Sequence, residues 1–342
     1  MRTNTFSAAV LVLLTVGANA SAADARRVAI RTADGVELVG RYQPGPLGNK
    51  SPGVLILDGI GDGRRPKTCD AVAAALHKQG CATLCFDFRG HGASTVVTED
   101  FWDDPTNRRL VRGYTGKTVP EEVDWQDFRP GYRRALVNDV AAARAFLDRR
   151  NDTGECNSGQ LFVVGFGEGA SVGALWAATE WSRHRVTGGL VTRLAPTPEG
   201  RDVRGCVWVE PATALDRRPV PLLDCLKRAT AKGGTYVGLI RADQDEAQEK
   251  LADQLQALNR KETTFRGVAL PTKNLLDDAA LPARVAAMID KMRDVNDPPP
   301  WDDRDFSDKR YAWALPGGGT ILAKEEDAQN LRPIPLDRLV GR

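Results

Sequence analysis

The chain has 342 residues, of which 42% are hydrophobic, 27% charged and 6% aromatic, which is typical of one large globular α/β domain or two small ones. Its 47 basic and 45 acidic side chains nearly cancel. No block of like charge stands out, so neither nucleic acid nor an anionic membrane is an expected partner. With only three histidines and no C-x-x-C pair, the sequence gives no reason to expect a metal site or any other cofactor.

Residues 1–22 have the features of a secretory signal peptide. Arg2 precedes the apolar run FSAAVLVLLTVGA, and the small residues that follow offer cleavage sites after Ala20 or Ala22. The run is too short to span a bilayer comfortably, so we expect no membrane span in the mature protein. The sequence therefore predicts export to the periplasm or the extracellular space.

Export makes the six cysteines candidates for disulfides, with buried free thiols as the alternative. A predicted helix over 65–79 and a predicted strand over 81–87 run antiparallel around Gly80. Cys69 and Cys85 then lie at about the same height above the turn, which makes them one candidate pair. Cys156 and Cys206, near the starts of neighbouring predicted strands, form a second.

The predicted elements alternate between strands and helices. A hairpin over 27–43 turns at Asp34-Gly35, and buried strands at 51–59 and 81–90 enclose the helix over 65–79. Alternation of this kind favours an α/β fold: a mostly parallel sheet of about eight strands, with the antiparallel hairpin at its N-terminal end and helices on both faces. The later predicted elements are helix 132–150, strand 160–165, helix 168–182, strands 204–212, 235–243 and 263–270, and helices near 219–231, 246–258 and 281–292.

Two segments depart from this alternation. Residues 95–130 are rich in charge and proline and lack a sustained period, so we expect an insertion that forms a partial lid on the domain over 27–292. Residues 293–342 contain PPP and GGG runs, and we expect an extended C-terminal tail there rather than a second domain.

The sequence VVGFGEGAS, residues 163–171, joins a predicted buried strand to a predicted helix. Its alternating glycines indicate a sharp backbone turn where a Cβ would clash. In the G-x-S-x-G nucleophile elbow the middle residue carries the attacking oxygen. Here the middle residue is Gly167, which has no side chain.

Three short motifs follow successive predicted strands: DFRGHGAS at 87–94, GFGEG at 165–169 and ADQDE at 242–246. In this order and at this spacing they resemble the α/β-hydrolase superfamily, and the serine aminopeptidase, monoglyceride lipase and dienelactone hydrolase-like groups are the most similar. The resemblance covers about residues 27–292. It implies a nucleophile, an acid and a histidine, in that order along the chain.

The catalytic positions implied by the resemblance are mostly not filled by catalytic residues. Gly167 stands at the nucleophile position, Asp245 at the acid position and Pro271 nearest to the histidine position. No histidine follows His184. Two of the three members of the triad are therefore missing.

The oxyanion loop implied by the resemblance is altered as well. Asp58-Gly59 stands where the family commonly has His-Gly, although the amides of Ile60 and Glu168 can still converge. The carboxylates of Asp58 and Glu168 would repel an oxyanion, or share a proton if they face each other. The alternative for Glu168 is a first-turn helix residue that complements the helix dipole.

Other interpretations of the same residues are weaker. A loose dinucleotide fingerprint at 165–170 lies on a late strand and has no acid at the end of the next one. Ser171 lies inside the helix without a base, and His91 and Ser94 belong to a turn that is structural in the resembling family. Trp-Asp-Asp at 102–104 and 301–303 suggests sugar or calcium binding, but the glycine and terminal Glu of a calcium loop are missing, and solvated turns are the favoured explanation.

The sequence thus favours an exported α/β-hydrolase-like pseudoenzyme that binds an unidentified small molecule or protein above Gly167. The alternative is a hydrolase of ester or peptide bonds that uses a rearranged set, with Glu168 or Asp58, water and Asp245. A third possibility is an interaction protein that uses the tail.

Overall fold

The computed structural model describes residues 25–187, 193–230, 234–258, 265–272, 274–294, 299–304, 310–323 and 332–340. The predicted signal peptide, 1–22, lies outside these residues. None of the described helices combines the length and the apolar composition needed to cross a bilayer.

One mixed sheet forms the centre of the structure. Its strands are β1 (Arg26–Arg31), β2 (Glu37–Gln43), β3 (Pro52–Leu57), β4 (Ala82–Phe86), β5 (Asn157–Phe166), β8 (Val203–Val209), β11 (Tyr236–Ala242) and β12 (Phe265–Leu270). Their order is β1-β2-β4-β3-β5-β8-β11-β12, antiparallel from β1 to β4 and parallel from there on. The predicted eight-stranded, mostly parallel sheet with an N-terminal hairpin is confirmed.

Helices cover both faces of this sheet. They are α1 (Pro66–Lys78), α4 (Val137–Asp152), α5 (Gly167–Glu180), α6 (Leu222–Thr230), α7 (Glu246–Leu258) and α8 (Leu281–Asp294). Apolar side chains of α1 and α8 form one core with the sheet, and those of α4 to α7 form the other. Strands β3 and β5 lie between the two cores and are buried along their whole length, which is why β3 and residues 161–166 of β5 read as apolar runs.

Several predicted boundaries were wrong for identifiable reasons. The strand predicted over 204–212 ends at Val209, because Glu210 adopts a left-handed φ of 48°. The helix predicted near 219–231 begins only at Leu222, because a short hairpin of β9 (Ala214–Leu215) and β10 (Arg218–Pro219) precedes it. Residues 263–264 of the last predicted strand lie outside the described residues.

A second sheet was not predicted. It contains β6 (Arg183–Thr187), β7 (Arg193–Pro198), β13 (Tyr311–Ala314) and β14 (Thr320–Leu322), in the order β14-β13-β6-β7. Strand β13 belongs to the tail predicted over 293–342 and pairs with β6 in antiparallel register. Part of the tail therefore forms two strands, β13 and β14, and the short helix α9 (Leu336–Leu339) follows near its end.

The segment 95–130 packs on the domain through two short helices, α2 (Glu99–Asp103) and α3 (Pro105–Leu110). Trp102 is buried, and its indole N–H donates to the Pro120 carbonyl at 2.7 Å. Trp301 is half exposed and donates to the Asn151 carbonyl at 3.1 Å. Both Trp-Asp-Asp tryptophans therefore fix loops of this chain.

All six cysteines are buried free thiols. The structure forms neither the Cys69–Cys85 nor the Cys156–Cys206 bridge. Its β8 pairs with β5 and β11, which places Cys206 opposite Val163 and Val237 and not beside Cys156.

Candidate functional site

The candidate site lies at the carboxyl edge of the parallel strands, where β5 turns into α5. Gly167 is the first residue of α5 and adopts a left-handed φ of 53°, the conformation expected of a nucleophile position. A Cβ built on Gly167 would have no atom within 4 Å. The turn therefore has elbow geometry, and the space above it is open.

The neighbouring glycines are there for another reason. A Cβ on Gly169 would lie 2.0 Å from the Asp58 carbonyl oxygen, and one on Gly165 would lie 2.6 Å from the Ala170 Cα. These contacts are with backbone atoms, which cannot move aside. Close packing of β3, β5 and α5 thus requires both glycines.

The loop after β3 holds the Asp58 side chain against its own backbone. Its Oδ1 accepts hydrogen bonds from the amides of Gly59 and Arg65, each at 2.7 Å. Burial raises the pKa of the Asp58 carboxyl, and these two amides oppose the rise. A Cβ on Gly59 would lie 2.0 Å from the Gly63 carbonyl oxygen, so the tight turn needs glycine there too.

Within the described residues, the amides of Ile60 and Glu168 donate to no other group. The neighbouring Gly61 amide, in contrast, donates to the Nε2 atom of His91 at 2.8 Å. Two backbone donors therefore remain available beside the elbow, at the positions that the resemblance implies for an oxyanion hole.

The Glu168 carboxylate forms an ion pair with Arg133, whose Nη1 lies 2.5 Å from both carboxylate oxygens. The Nε of Arg133 lies 3.1 Å from Asp216 Oδ1. Burial raises the pKa of the Glu168 carboxyl, and the guanidinium offsets part of the rise. Asp58 and Glu168 thus have separate partners, and the contacts give no sign of a shared proton.

The acid and base positions lie further along the same edge. The Asp245 Oδ1 accepts a hydrogen bond from the Gln248 amide at 3.0 Å and so caps the start of α7. Pro271 directly follows β12 and is exposed, and it has no group that accepts a proton. The structure therefore supplies no base at the position nearest to the family's histidine.

His91 does not replace the missing base. Because its Nε2 accepts the Gly61 amide hydrogen, the proton must sit on Nδ1, which donates to the Arg89 carbonyl at 2.8 Å. Both ring nitrogens are therefore engaged. Burial lowers the pKa of the ring, which keeps it neutral.

The two candidate serines are also engaged. The Ser171 hydroxyl donates to the Ala212 carbonyl at 2.6 Å, and the Ser94 hydroxyl donates to the Asp87 carbonyl at 2.7 Å. Arg89 is fully buried between the carboxylates of Asp34 and Asp139. The DFRGHGAS turn is therefore structural, as predicted.

Sequence analysis did not single out the loop that follows β8. Glu210, Asp216 and Arg217 are the three described residues other than glycine with positive φ, at 48°, 51° and 63°. Strained residues of this kind cluster at functional sites. Burial raises the pKa of the Glu210 carboxyl, and the carboxylate of Asp245 raises it further.

The loop after β8 also contacts the elbow directly. The Ala212 amide donates to the Gly167 carbonyl at 3.1 Å. With Asp216 bound to Arg133, the loop forms one wall of the candidate site. From the sequence, a charged hairpin of this kind can be predicted only as a turn. Its contact with the elbow is a tertiary contact that the local sequence does not indicate.

The described residues contain no group of three or more His, Cys, Asp or Glu side chains that could hold a metal ion. The arrangement offers two amide donors, an open space and a neutralised Glu168–Arg133 pair. It lacks a side-chain nucleophile at the elbow and an imidazole to activate one. Two amide donors beside an open space can bind an oxygen atom of a ligand.

Known proteins support this description of the fold. No family model matches the chain. By sequence, the uncharacterized protein Rv2307c of Mycobacterium tuberculosis is 38% identical over 69 residues, which are 20% of this chain and 24% of that protein, so the chain matches about a quarter of that relative's length.

By structure, an esterase of Pyrococcus furiosus, solved in two space groups, is similar with TM-scores of 0.51 and 0.50. The identities are 15% and 16%, over 80% and 78% of this chain and 90% and 92% of the esterase. At this identity the likeness concerns the fold alone. Together with the strand order and the elbow, it shows that the chain has the α/β-hydrolase fold.

Proposed function

We propose that this protein is an exported pseudoenzyme that binds a ligand in the open space above Gly167 and has no serine-hydrolase activity. One observation carries the proposal: Gly167 keeps the left-handed geometry of a nucleophile position, and no atom lies within 4 Å of where its Cβ would be. A small molecule or a segment of a partner protein can occupy that space.

The polar groups around the elbow favour a neutral oxygen on the ligand. The amides of Ile60 and Glu168 can donate to a carbonyl or hydroxyl oxygen. Beside Gly167, the carboxylates of Glu168 and Asp216 share the guanidinium of Arg133, and this local excess of negative charge disfavours an anionic group on the ligand.

The absence of hydrolase activity is tested with a fluorophosphonate probe and a panel of 4-nitrophenyl esters from acetate to octanoate. We expect neither labelling nor turnover, because no described serine hydroxyl near the elbow has a base. Ser171→Ala and Ser94→Ala are the matched controls. Labelling that either substitution abolishes, with turnover lost in parallel, would overturn this part of the proposal.

Ligand binding is tested with the same esters by calorimetry. We expect Gly167→Leu to remove binding, because its side chain fills the open space. The matched control is Gly154→Leu: Gly154 has a φ of 76°, also has no atom within 4 Å of a built Cβ, and lies at the far end of α4. If the parent, Gly167→Leu and Gly154→Leu behave alike towards every ester, the space above Gly167 is not a ligand site for this class.

Export is tested by the mature N-terminus. We expect a secreted or periplasmic form that begins at Ser21 or Ala23, by mass spectrometry of the N-terminal peptide. A chain that retains Arg2 in the exported fraction would contradict this.

A second candidate function is hydrolysis of an ester or peptide bond through carboxylates and water. The supporting observation is that burial raises the pKa values of Glu168 and Glu210, as suits a general acid or base. The ion pair with Arg133 opposes it, because it holds Glu168 as a carboxylate. Turnover that no serine substitution changes, and that Glu168→Gln abolishes while Glu37→Gln does not, would favour this alternative.

A further inference from the structure

A cavity of about 240 Å³ lies apart from the elbow, between α3, the start of α4 and the C-terminal segment 333–338. None of the elbow or oxyanion-loop residues lines it. Four arginines do: Arg109, Arg134, Arg218 and Arg338.

Three of these arginines have no ion-pair partner in the part of the chain that the structure describes. Within the described residues, the guanidinium groups of Arg109, Arg218 and Arg338 form no ion pair. The guanidinium of Arg134 lies 3.9 Å from an oxygen of Asp337, whose side chain is 65% exposed. Like charges gathered in one concave site repel each other, so their grouping calls for an anion.

The other carboxylates at the cavity are already engaged. Asp34 is bound to the buried Arg89, with which it forms hydrogen bonds of 2.5 and 2.9 Å. Asp104 caps α3 by accepting the Thr106 amide at 2.6 Å. Asp34 is thus already paired, and the remaining carboxylates, Asp104 and Asp337, bring two negative charges against the four arginines, so positive charge is in excess at the cavity.

The walls are held in place by specific contacts. The Ile334 amide donates to the buried Asn138 side chain at 2.7 Å, and Arg228 donates to the Leu339 carbonyl at 2.7 Å, so the C-terminal segment is fixed on α4 and α6. On the opposite side the Arg218 guanidinium rests on Gly131, where an added Cβ would lie 3.1 Å from its Cζ. Gly131 has a φ of 96°, a left-handed conformation that favours glycine.

We propose that this cavity binds a small oxyanion, a phosphate or carboxylate group on a molecule of few heavy atoms. Guanidinium groups match both groups with paired N–H donors. The volume lies below the range of about 300–1,000 Å³ typical of sites for drug-sized ligands, which limits the ligand's size. The proposal is independent of the elbow and of whether the elbow binds a ligand.

The experiment is calorimetric titration of the full mature chain with inorganic phosphate and, separately, with acetate, at constant ionic strength. We expect at least one of the two to bind with one-to-one stoichiometry. The double substitution Arg109→Gln and Arg218→Gln should weaken that binding by about tenfold or more, since each removes charge-assisted hydrogen bonds.

The matched control is Arg27→Gln with Arg201→Gln, two exposed arginines outside the cavity, which removes the same charge from the surface. Binding that survives this control and is lost in the cavity variant supports the site, and thermal melts of both variants confirm that they fold. The proposal is overturned if neither anion binds, if both double variants weaken binding equally, or if the cavity variant binds as the parent does. The two anion arms distinguish phosphate from carboxylate ligands.

Discussion

Substitution of Gly167 by alanine tests two properties of the elbow: the left-handed φ of residue 167 and the open space above it. An L-residue in the left-handed region costs about 1–2 kcal/mol of folding free energy. No steric cost adds to this, because the new Cβ meets no atom within 4 Å. We therefore expect Gly167→Ala to lower the free energy of unfolding by about 1 kcal/mol, which corresponds to about 1–2 °C in Tm for a chain of this length.

Substitutions at two other glycines serve as controls for this expected loss of stability. Gly154 also has a left-handed φ, of 76°, and equally empty surroundings, so we expect a similar loss from Gly154→Ala. Gly169→Ala places a Cβ 2.0 Å from the Asp58 carbonyl oxygen, and β3 or α5 must shift. Its gain in helix propensity is at most about 1 kcal/mol, against an overpacking cost of about 3 kcal/mol.

The assay is urea unfolding of the parent and the three variants, followed by circular dichroism. The reasoning fails if Gly167→Ala loses as much stability as Gly169→Ala, since the space above the elbow would then be filled. It fails equally if Gly167→Ala is as stable as the parent, since the residue would then not be left-handed. The related variant Gly167→Ser should hydrolyse no 4-nitrophenyl ester, because the imidazole is still missing.

Three further outcomes are expected. Mass spectrometry of the denatured, unreduced protein should find six free thiols, and a peptide linking Cys69 to Cys85 would contradict the structure. Burial lowers the pKa of His91 below 6.5, so as the pH falls the unfolded chain takes up the imidazole proton before the folded chain does. This group therefore costs no stability above about pH 6.5 and lowers the free energy of unfolding as the pH falls below that value. Thermal melts of His91→Gln should show a smaller loss of stability between about pH 7.5 and 5 than those of the parent. Arg89→Met leaves two buried carboxylates without their cation and should cost about 3–5 kcal/mol in urea unfolding, so a loss below about 1 kcal/mol would show that the charge network is not stabilising.

Most of the main sheet could be predicted from the sequence because its signals are local. Continuous apolar runs marked β3 and β5, and Asp34-Gly35 marked the first hairpin, where Gly35 has a φ of 81°. The second sheet could not be predicted, because β6 and β13 pair across more than 120 residues and neither has a marked apolar alternation. Pairing at that range is decided by packing and not by local propensity.

The candidate site was predictable only where it depends on backbone geometry. The glycine spacing of GFGEG predicted the elbow, and the missing serine and histidine can be read directly from the chain. The ion pair of Glu168 with Arg133 joins residues 35 apart, and Glu210 adopts its left-handed φ without any glycine or asparagine to signal it. Such features arise only in the assembled fold. The sequence therefore predicted the missing serine and histidine, but neither the Glu168–Arg133 ion pair nor the conformation of Glu210.

The geometry also explains how an elbow can persist without a nucleophile. Gly165 and Gly169 are required by contacts of 2.6 and 2.0 Å with backbone atoms of the same layer, whatever chemistry the turn performs. Glycine is required at both positions because β3 and β5 pack closely against α5, and the same packing positions the Asp58 loop. Of the three elbow glycines, Gly167 is the one without such contacts, so only its left-handed φ favours glycine. The packing therefore requires the turn whichever residue stands at its middle position, and glycine there avoids the cost of a left-handed side chain and leaves the space above the turn open.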